Sequence, residues 1–179
     1  QGFYLGEHGW FDKRFMYEES LRTPFLIRYP KEIKPGIKIP QMIQNLDFAP
    51  TFLDYAGITP SEDFQGISFK NIVNQKETKW REAIYYTYYE YPSVHMVKRH
   101  YGVRTERYKL MHFYYDIDEW ELYDLKEDPS EMKNMYNNPK YKKIKNNLHQ
   151  KLKELREEYG DSDSLDLMHI KRYVSKINK

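Results

Sequence analysis

The side chains with the clearest capacity for chemistry lie in the first 30 residues, on a loop that contains several glycines. The loop carries an acid next to a histidine, Glu7 and His8, and then a polar group that consists of Asp12, Lys13 and Arg14. Glycine adopts positive φ angles and lets the backbone approach a ligand closely. A polar loop of this kind beside a buried strand is typical of the active sites of α/β enzymes, and a solvated surface turn is the alternative.

A second group of hydrogen-bonding side chains follows later in the chain, on a predicted loop between two strands. Its members within residues 90–100 are Glu90, His95, Arg99 and His100. A guanidinium donates two parallel hydrogen bonds to a carboxylate or a sulfate, so this loop is suited to binding an anion. A surface loop held by ion pairs explains the same residues equally well.

The composition is typical of a globular chain. Of the 179 residues, 40% are hydrophobic and 31% are charged, and the net charge of +2 is close to balance. A nucleic-acid-binding surface is not indicated, since such surfaces are strongly basic. No apolar run approaches the roughly 20 residues of a membrane-spanning helix. The absence of cysteine excludes disulfides, zinc–thiolate sites and a cysteine nucleophile within these residues.

The sequence pattern predicts two structural parts, of which the first is mixed. The continuous apolar run Phe25-Leu26-Ile27 predicts a buried strand over residues 25–29. Apolar residues at helical spacing predict a helix over residues 48–56. Its predicted buried face consists of Phe48, Thr51, Phe52 and Tyr55. Residues 66–73 predict a short loop and one or two helical turns, and the polar stretch 74–79 marks the predicted change of subdomain.

The second part is rich in aromatic and β-branched residues. Its predicted strands cover residues 83–89, 101–104, 108–113 and 120–124. Because these strands follow one another without helices between them, they predict an antiparallel sheet. Apolar residues at three- and four-residue steps predict a long helix over residues 141–159, which ends at Gly160 and packs on one face of the sheet. The polar tail from Asp161 is expected to be loosely held.

Three segments of the chain resemble a known family. They are QGFYLGEHGWFDKRFMYEESLRTPFLIRYP at residues 1–30, residues 45–58 and residues 88–136. In order and spacing they resemble the C-terminal part of type I, formylglycine-dependent sulfatases of the alkaline phosphatase superfamily, and in particular bacterial members that act on sulfated glycans. The resemblance implies an α/β fold. Residues 1–75 would form the end of the alkaline-phosphatase-like sulfatase domain, and residues 76–179 a small C-terminal α+β subdomain with an antiparallel sheet packed on a long helix.

The resemblance also implies roles for individual residues. Gln1 matches the second residue of a pair that binds a divalent metal, usually Ca²⁺, and Lys13 matches the lysine that contacts the sulfate group. His8 occupies a place where many members have a polar residue that faces the pocket. It is a predicted contributor to proton transfer, with substrate orientation or a purely structural role as alternatives. The predicted substrate-binding residues are Lys13, Glu90, His95, Arg99 and His100, with a uronate carboxylate or a second sulfate as the ligand of His95 and Arg99.

Other features of the family are absent from the sequence. The nucleophile motif, whose Cys or Ser is oxidised to formylglycine, does not occur in these residues, and the Asp that precedes Gln1 in the family is missing. Neither an initiator methionine nor an export signal precedes Gln1, so the sequence is interpreted as a C-terminal fragment that is inactive alone. The implied partners are a sulfated carbohydrate and the rest of the same catalytic domain, and the implied location is periplasmic or extracellular.

Two other functions are open at this stage. A phosphate or phosphonate ester hydrolase of the same superfamily would keep the fold and change the bond that is cleaved. A glycan-binding homologue without a nucleophile would be non-catalytic. The residues upstream of Gln1 would distinguish these functions, because a modifiable Cys or Ser favours a sulfatase and a threonine or unmodified serine favours phosphoryl chemistry.

Overall fold

The structure is a computed structural model that describes residues 1–76 and 79–177. The chain forms two compact units, of which one contains residues 1–24 together with the chain from residue 83 onward, and the other contains residues 25–82. The first 24 residues therefore belong with the C-terminal strands. The predicted domains 1–75 and 76–179 concern the longer protein, and that assignment stays a prediction. The polar stretch 74–79 includes residues 77 and 78, which lie outside the described residues.

The secondary structure agrees with most of the predicted elements. The strands are β1 (Tyr4–Leu5), β2 (Phe11–Asp12), β3 (Ala83–Tyr88), β4 (His100–Thr105), β5 (Tyr108–Phe113) and β6 (Glu119–Asp124). The helices are α1 (Glu18–Leu21), α2 (Phe48–Tyr55), α3 (Lys70–Val73), α4 (Lys142–Glu158) and α5 (Asp163–Ile177). The predicted antiparallel sheet is confirmed, since β3, β4, β5 and β6 are hydrogen-bonded in that order. Among the described helices, none combines the length and apolarity required to cross a membrane.

One face of the four-stranded sheet packs against α4, as predicted. Three fully buried residues occupy the centre of this face: Val103, Leu110 and Leu122. Three leucines of α4 pack in the same cluster: Leu148, Leu152 and Leu155. Their three- and four-residue steps place them on one side of the helix. Gly160 follows the helix with a φ of +67°, a conformation that glycine adopts without steric cost.

Within the tail after α4, Asp163–Ile177 form the helix α5, so the prediction of a loosely held tail is wrong for the described residues; residues 178 and 179 lie outside them. Charged groups anchor this helix. Arg156 of α4 donates hydrogen bonds to Asp163 at 2.9 Å and to Asp166 at 2.8 Å, and the Tyr114 hydroxyl donates to Asp166 at 2.8 Å. Acidic residues in the first turn also interact favourably with the helix dipole. Because polar side chains make these contacts, the hydrophobic pattern does not reveal them.

The N-terminal residues pack on residues of the sheet in a second apolar cluster. Tyr4, Met16 and Tyr17 belong to this cluster together with Met111 and Phe113 of β5. Tyr4, Met16 and Met111 have no exposed surface. The loop that carries the candidate site is therefore built on the sheet.

A buried cluster of charges also joins the N-terminal segment to the sheet. The Lys109 ammonium, which has no exposed surface, lies 2.6 Å from Glu131 Oε1 and 3.0 Å from Glu18 Oε1. The second Glu131 oxygen accepts a hydrogen bond from the backbone N–H of Glu18 at 2.6 Å, at the start of α1. Arg104 Nη2 lies 3.1 Å from Glu18 Oε2. These four side chains fix α1 beside β4 and β5.

The second unit has its own small core. Its buried apolar residues are Phe69, Ile72 and Val73. The predicted helix over residues 48–56 is confirmed as α2, and Phe48 packs against this core. Thr51 is fully buried, but Phe52 is 63% exposed, so the predicted buried face of α2 is wrong at Phe52.

Residues 25–29 do not form a strand, so that prediction is wrong. Their backbone has no ladder partner among the described residues of this unit. Phe25 is 43% exposed and Leu26 is 95% exposed. An extended apolar run becomes a stable strand only when neighbouring strands pair with it, and the described part of residues 25–82 contains none.

Candidate functional site

A short two-stranded ribbon presents Lys13. β1 pairs antiparallel with β2, which places Tyr4 opposite Asp12, and Lys13 follows directly. The buried Tyr4 anchors the ribbon, because its hydroxyl donates to the carbonyl oxygen of Phe15 at 3.2 Å. Leu5, on the other face of the ribbon, is 72% exposed. Lys13 thus emerges at the end of a ribbon that is held from its inner face.

The charges around Lys13 leave a net positive cluster. The Lys13 ammonium lies 3.6 Å from Asp12 Oδ1, and the side chain is 33% exposed. The other oxygen of Asp12 accepts a hydrogen bond from the Arg14 guanidinium, which holds the pKa of the Asp12 carboxyl below its ordinary value. One carboxylate is therefore shared by two cations, and the remaining positive charge suits an anionic ligand.

Arg14 connects the lysine loop to the second predicted group. Its Nη2 lies 2.9 Å from His95 Nε2. Because a guanidinium only donates, Nε2 of His95 is the acceptor in this contact. Glu90, earlier on the same loop, accepts a hydrogen bond from the Tyr88 hydroxyl at 2.9 Å. The structure therefore brings His95 to the loop of Lys13.

His8 lies on the turn between β1 and β2. Its ring stacks on Tyr17, with the ring centres 4.2 Å apart and the planes 9° from parallel. His8 Nε2 lies 3.4 Å from Glu19 Oε2, and the histidine side chain is 11% exposed. A histidine oriented by a carboxylate suits proton transfer, and the same packing suits a structural loop residue. The role of His8 stays a prediction.

Gln1 is exposed, and the backbone next to it is fixed by α1. The N–H of Gly2 donates to the carbonyl oxygen of Ser20 at 2.8 Å. A Cβ atom at Gly2 would lie 1.9 Å from the carbonyl oxygen of Glu19, so only glycine fits. The amide oxygen of Gln1 is suited to Ca²⁺ as a single ligand. The described residues contain no group of three His, Cys, Asp or Glu side chains that could hold a metal ion, and the metal-binding role of Gln1 stays a prediction.

Arg99 and His100 are buried in the structure, and their predicted role in substrate binding stays a prediction. Neither side chain has exposed surface. The Arg99 guanidinium lies over the ring of Tyr173 on α5, 5.3 Å from its centre. His100 begins β4. The sequence pattern misses this burial because both residue types are usually exposed or functional.

His100 lies in an aromatic environment beneath the lysine loop. The ring centres of four residues lie 5.1 to 5.7 Å from its own: Phe15, Tyr86, Tyr88 and Phe113. Its Nδ1 lies 2.8 Å from the carbonyl oxygen of Lys98 and donates to it. Burial lowers the pKa of His100 to about 4, so the ring is neutral at neutral pH.

The stability of the chain is expected to fall as the pH drops from about 6.5 to about 4, because of His100. The folded state keeps the ring neutral down to about pH 4, whereas the unfolded chain takes up a proton near pH 6.5. The unfolded state binds more protons in this window, so the free energy of unfolding decreases as the pH falls, by roughly 3 kcal/mol in total. Urea unfolding at about pH 7 and about pH 5 should show a smaller decrease in His100→Phe than in the wild type. Equal decreases would contradict this assignment.

Two further residues, Ser20 and Tyr86, bind the backbone of the lysine loop. Ser20 Oγ accepts a hydrogen bond from the N–H of Arg14 at 3.1 Å. The Tyr86 hydroxyl donates to the carbonyl oxygen of Arg14 at 2.6 Å. Sequence reasoning identified neither residue. Tyr86 lies 72 positions after Arg14 in the chain, and no local signal connects them.

Comparisons with known proteins give consistent results. Residues 6–158 match a family model described as N-sulphoglucosamine sulphohydrolase, C-terminal. The chain is 56% identical over 166 residues to the N-acetylglucosamine-6-O-sulfatase of Bacteroides thetaiotaomicron, and the match covers 91% of this chain and 30% of that protein. It is 30% identical over 168 residues to an arylsulfatase of Clostridium perfringens, with coverage of 90% and 34%.

A similar solved structure was determined in complex with its substrate, D-glucosamine-2-N,6-O-disulfate. The TM-score is 0.87 and the sequence identity is 55%, and the match covers 91% of this chain and 34% of that chain. The chain thus spans about a third of the length of these relatives.

Proposed function

The chain belongs to the sulfatase family whose C-terminal model it matches, and on this premise we propose that the protein of which it forms a part hydrolyses sulfate esters on glycans. Membership confirms the family resemblance inferred from the sequence, and the predicted fold class agrees with the solved sulfatase structures. The proposed substrate is a 6-O-sulfated glucosamine or N-acetylglucosamine residue. The stated specificity of the 56% identical relative and the sugar bound in the similar structure support this choice.

The positive cluster on the lysine loop is the observation that carries the proposal. Lys13 and Arg14 share the single carboxylate of Asp12, and the Lys13 ammonium is held on a ribbon whose inner face is buried. A sulfate group needs a fixed cation of this kind, because a preorganised charge requires little reorganisation when the ligand binds.

The chemistry assigns distinct roles to the residues of the loop. A sulfate ester carries negative charge on its non-bridging oxygens, and more charge develops on the leaving oxygen as the S–O bond breaks. Lys13 would stabilise the sulfate oxygens with a compact charge and three donors. His8, oriented by Glu19, would supply a proton to the leaving sugar oxygen, a contribution of about 10²- to 10⁴-fold in rate. His95 would contact a neighbouring part of the glycan, with Arg14 as its support.

The proposed site also requires a calcium ion and a formylglycine nucleophile, neither of which belongs to the described residues. Gln1 would give its amide oxygen to a calcium ion, which when bound supplies positive charge beside the sulfate. The nucleophile would be a formylglycine from the part of the protein upstream of Gln1, because these residues contain no cysteine and no nucleophile motif.

The remainder of the same polypeptide is the proposed partner of the exposed apolar face of the ribbon. Leu5 and Phe11 lie opposite each other on β1 and β2 and are 72% and 71% exposed. Burying such a pair against another surface is favourable. A periplasmic or extracellular location is also part of the proposal and rests on the family resemblance alone.

Sulfate release by the full-length protein tests this function. The substrates are N-acetylglucosamine-6-sulfate, glucosamine-2-N-sulfate and p-nitrophenyl phosphate. We expect kcat/KM for the 6-O-sulfated sugar to exceed that for the phosphate ester by at least about 10²-fold, because the site is built for sulfate. Preference for the phosphate ester would favour a phosphoesterase. Binding of the sulfated sugar without any sulfate release would favour the non-catalytic alternative.

A further inference from the structure

Lys13 lies between two residues whose backbone conformation is unfavourable. Asp12 has a φ of +84° and Arg14 has a φ of +93°. Residues other than glycine rarely adopt such angles, and each instance costs free energy that surrounding contacts must offset. The strained positions flank the lysine that is proposed to bind sulfate. The contacts that maintain them therefore decide where the Lys13 ammonium points.

Three contacts maintain this conformation. Within the loop, the Arg14 guanidinium donates to the carboxylate of Asp12. From α1, the buried Ser20 accepts the N–H of Arg14 at 3.1 Å. From the sheet, the hydroxyl of Tyr86 donates to the carbonyl oxygen of Arg14 at 2.6 Å. Both backbone polar groups of Arg14 are thus bonded to side chains, which fixes its peptide planes on either side.

Tyr86 is well suited to hold a backbone group in place. It lies on β3 directly opposite Gly102 of β4, and its ring stacks against His100 with the centres 5.6 Å apart. Burial raises the pKa of Tyr86 to about 12, so its hydroxyl keeps the proton that it donates. A half-buried ring on a paired strand has few alternative positions, and the bond to Arg14 transfers this rigidity to the loop.

We infer that Tyr86 is a positioning residue for Lys13. The Tyr86 hydroxyl holds Arg14 in its left-handed conformation and thereby fixes the Lys13 ammonium against the sulfate group. The inference rests on the proposed function of Lys13. Without the hydroxyl, the carbonyl of Arg14 loses its partner and the loop relaxes from the strained conformation. A displacement of about 1 Å at a reacting centre is enough to cost about 10²-fold in rate, so even partial relaxation reduces turnover.

Four forms of the full-length protein test the inference: the wild type, Tyr86→Phe, Lys13→Ala and the double variant. We expect Tyr86→Phe to lower kcat/KM for N-acetylglucosamine-6-sulfate by about 10-fold and to raise the inhibition constant of inorganic sulfate by a similar factor. In the Lys13→Ala background the same change is expected to alter kcat/KM by less than about twofold. A hydroxyl that acts through Lys13 has no effect once the ammonium is gone, and a double-mutant cycle measures this.

Tyr85→Phe is the matched control. Tyr85 is the adjacent residue on β3 and faces the other side of the sheet, where its hydroxyl donates to Asp161. We expect this variant to keep the wild-type kcat/KM and sulfate inhibition. Unchanged activity of Tyr86→Phe, or equal losses in both Lys13 backgrounds, would overturn the inference and leave the proposed function intact. Wild-type turnover by Lys13→Ala would overturn the inference together with the proposed role of Lys13, whereas the absence of sulfate release by the wild type would overturn the proposed function.

Discussion

The substitution Lys13→Ala is expected to reduce kcat/KM for sulfate release by about 10²- to 10³-fold in the full-length protein, while the fold is retained. The ammonium is proposed to stabilise the sulfate oxygens as the ester bond breaks, and in the alanine variant the negative charge on these oxygens has no lysine to stabilise it. The side chain is 33% exposed, and its ammonium pairs with Asp12 beside it and lies 5.9 Å from the centre of the Phe3 ring, so its removal should disturb little packing. Steady-state rates with N-acetylglucosamine-6-sulfate measure the loss, and thermal unfolding checks that the variant is folded.

Lys151→Ala is the control for this substitution. Lys151 on α4 is 40% exposed, and its ammonium lies 4.0 Å from Glu154, so its setting resembles that of Lys13. We expect kcat/KM of this variant to remain within about twofold of the wild type, since surface pairs of this kind contribute little. A rate for Lys13→Ala that equals the rate for Lys151→Ala would remove Lys13 from the site.

The second large effect is expected for Lys109→Met, which should lower the free energy of unfolding by about 3–5 kcal/mol. Lys109 and Glu131 have no exposed side-chain surface and lie 2.6 Å apart. Burial raises the pKa of Glu131, and the nearby Lys109 opposes this rise. Methionine fills similar volume without charge, so the variant leaves an uncompensated carboxylate in the interior. Urea unfolding near neutral pH measures the change.

Two comparisons separate the buried charge from a general effect of losing a lysine. Lys153→Met removes a lysine whose ammonium lies 3.8 Å from Glu157, with side chains 69% and 68% exposed, and should change stability by less than about 0.5 kcal/mol. The double variant Lys109→Met with Glu131→Gln should recover part of the loss. The loss in Lys109→Met should also shrink as the pH falls, because a protonated Glu131 needs no counter-charge. A loss below about 1 kcal/mol at neutral pH would contradict the assignment.

Local sequence patterns account for the elements whose burial has a regular period. The leucines of α4 and the aromatic strands β3 to β6 are of this kind. Residues 25–29 show where prediction from local pattern fails, because a strand also needs a pairing partner, and an apolar run does not specify one. α5 shows the opposite failure, in which a helix forms that the pattern does not predict. It is anchored by Arg156 and Asp166, and an ion pair between successive elements has no hydrophobic period.

The candidate residues were predictable where they lie in short polar segments, which are the opening loop and residues 90–100 with His95, but the contact between these two segments was not. Lys13 and His8 were identified because they occupy the opening loop, and Arg14 was present there without an assigned role. The burial of Arg99 and His100 was not predictable, because a polar residue type says nothing about the burial that the sheet imposes. Tyr86 could not be found at all, since its role depends on a single hydrogen bond to a distant loop.

The contacts that hold the lysine loop have a consequence for synthesis on the ribosome. Tyr17 bonds to Glu121 across 104 positions, and Glu18 bonds to Glu131 across 113 positions. At translation rates of about 5–20 residues per second, the loop leaves the exit tunnel roughly 5–20 s before its partners leave it. The meander β3 to β6 needs only adjacent segments and can assemble as they emerge. Tyr4 and Met16, buried in the finished chain, lack their sheet partners Met111 and Phe113 during that interval.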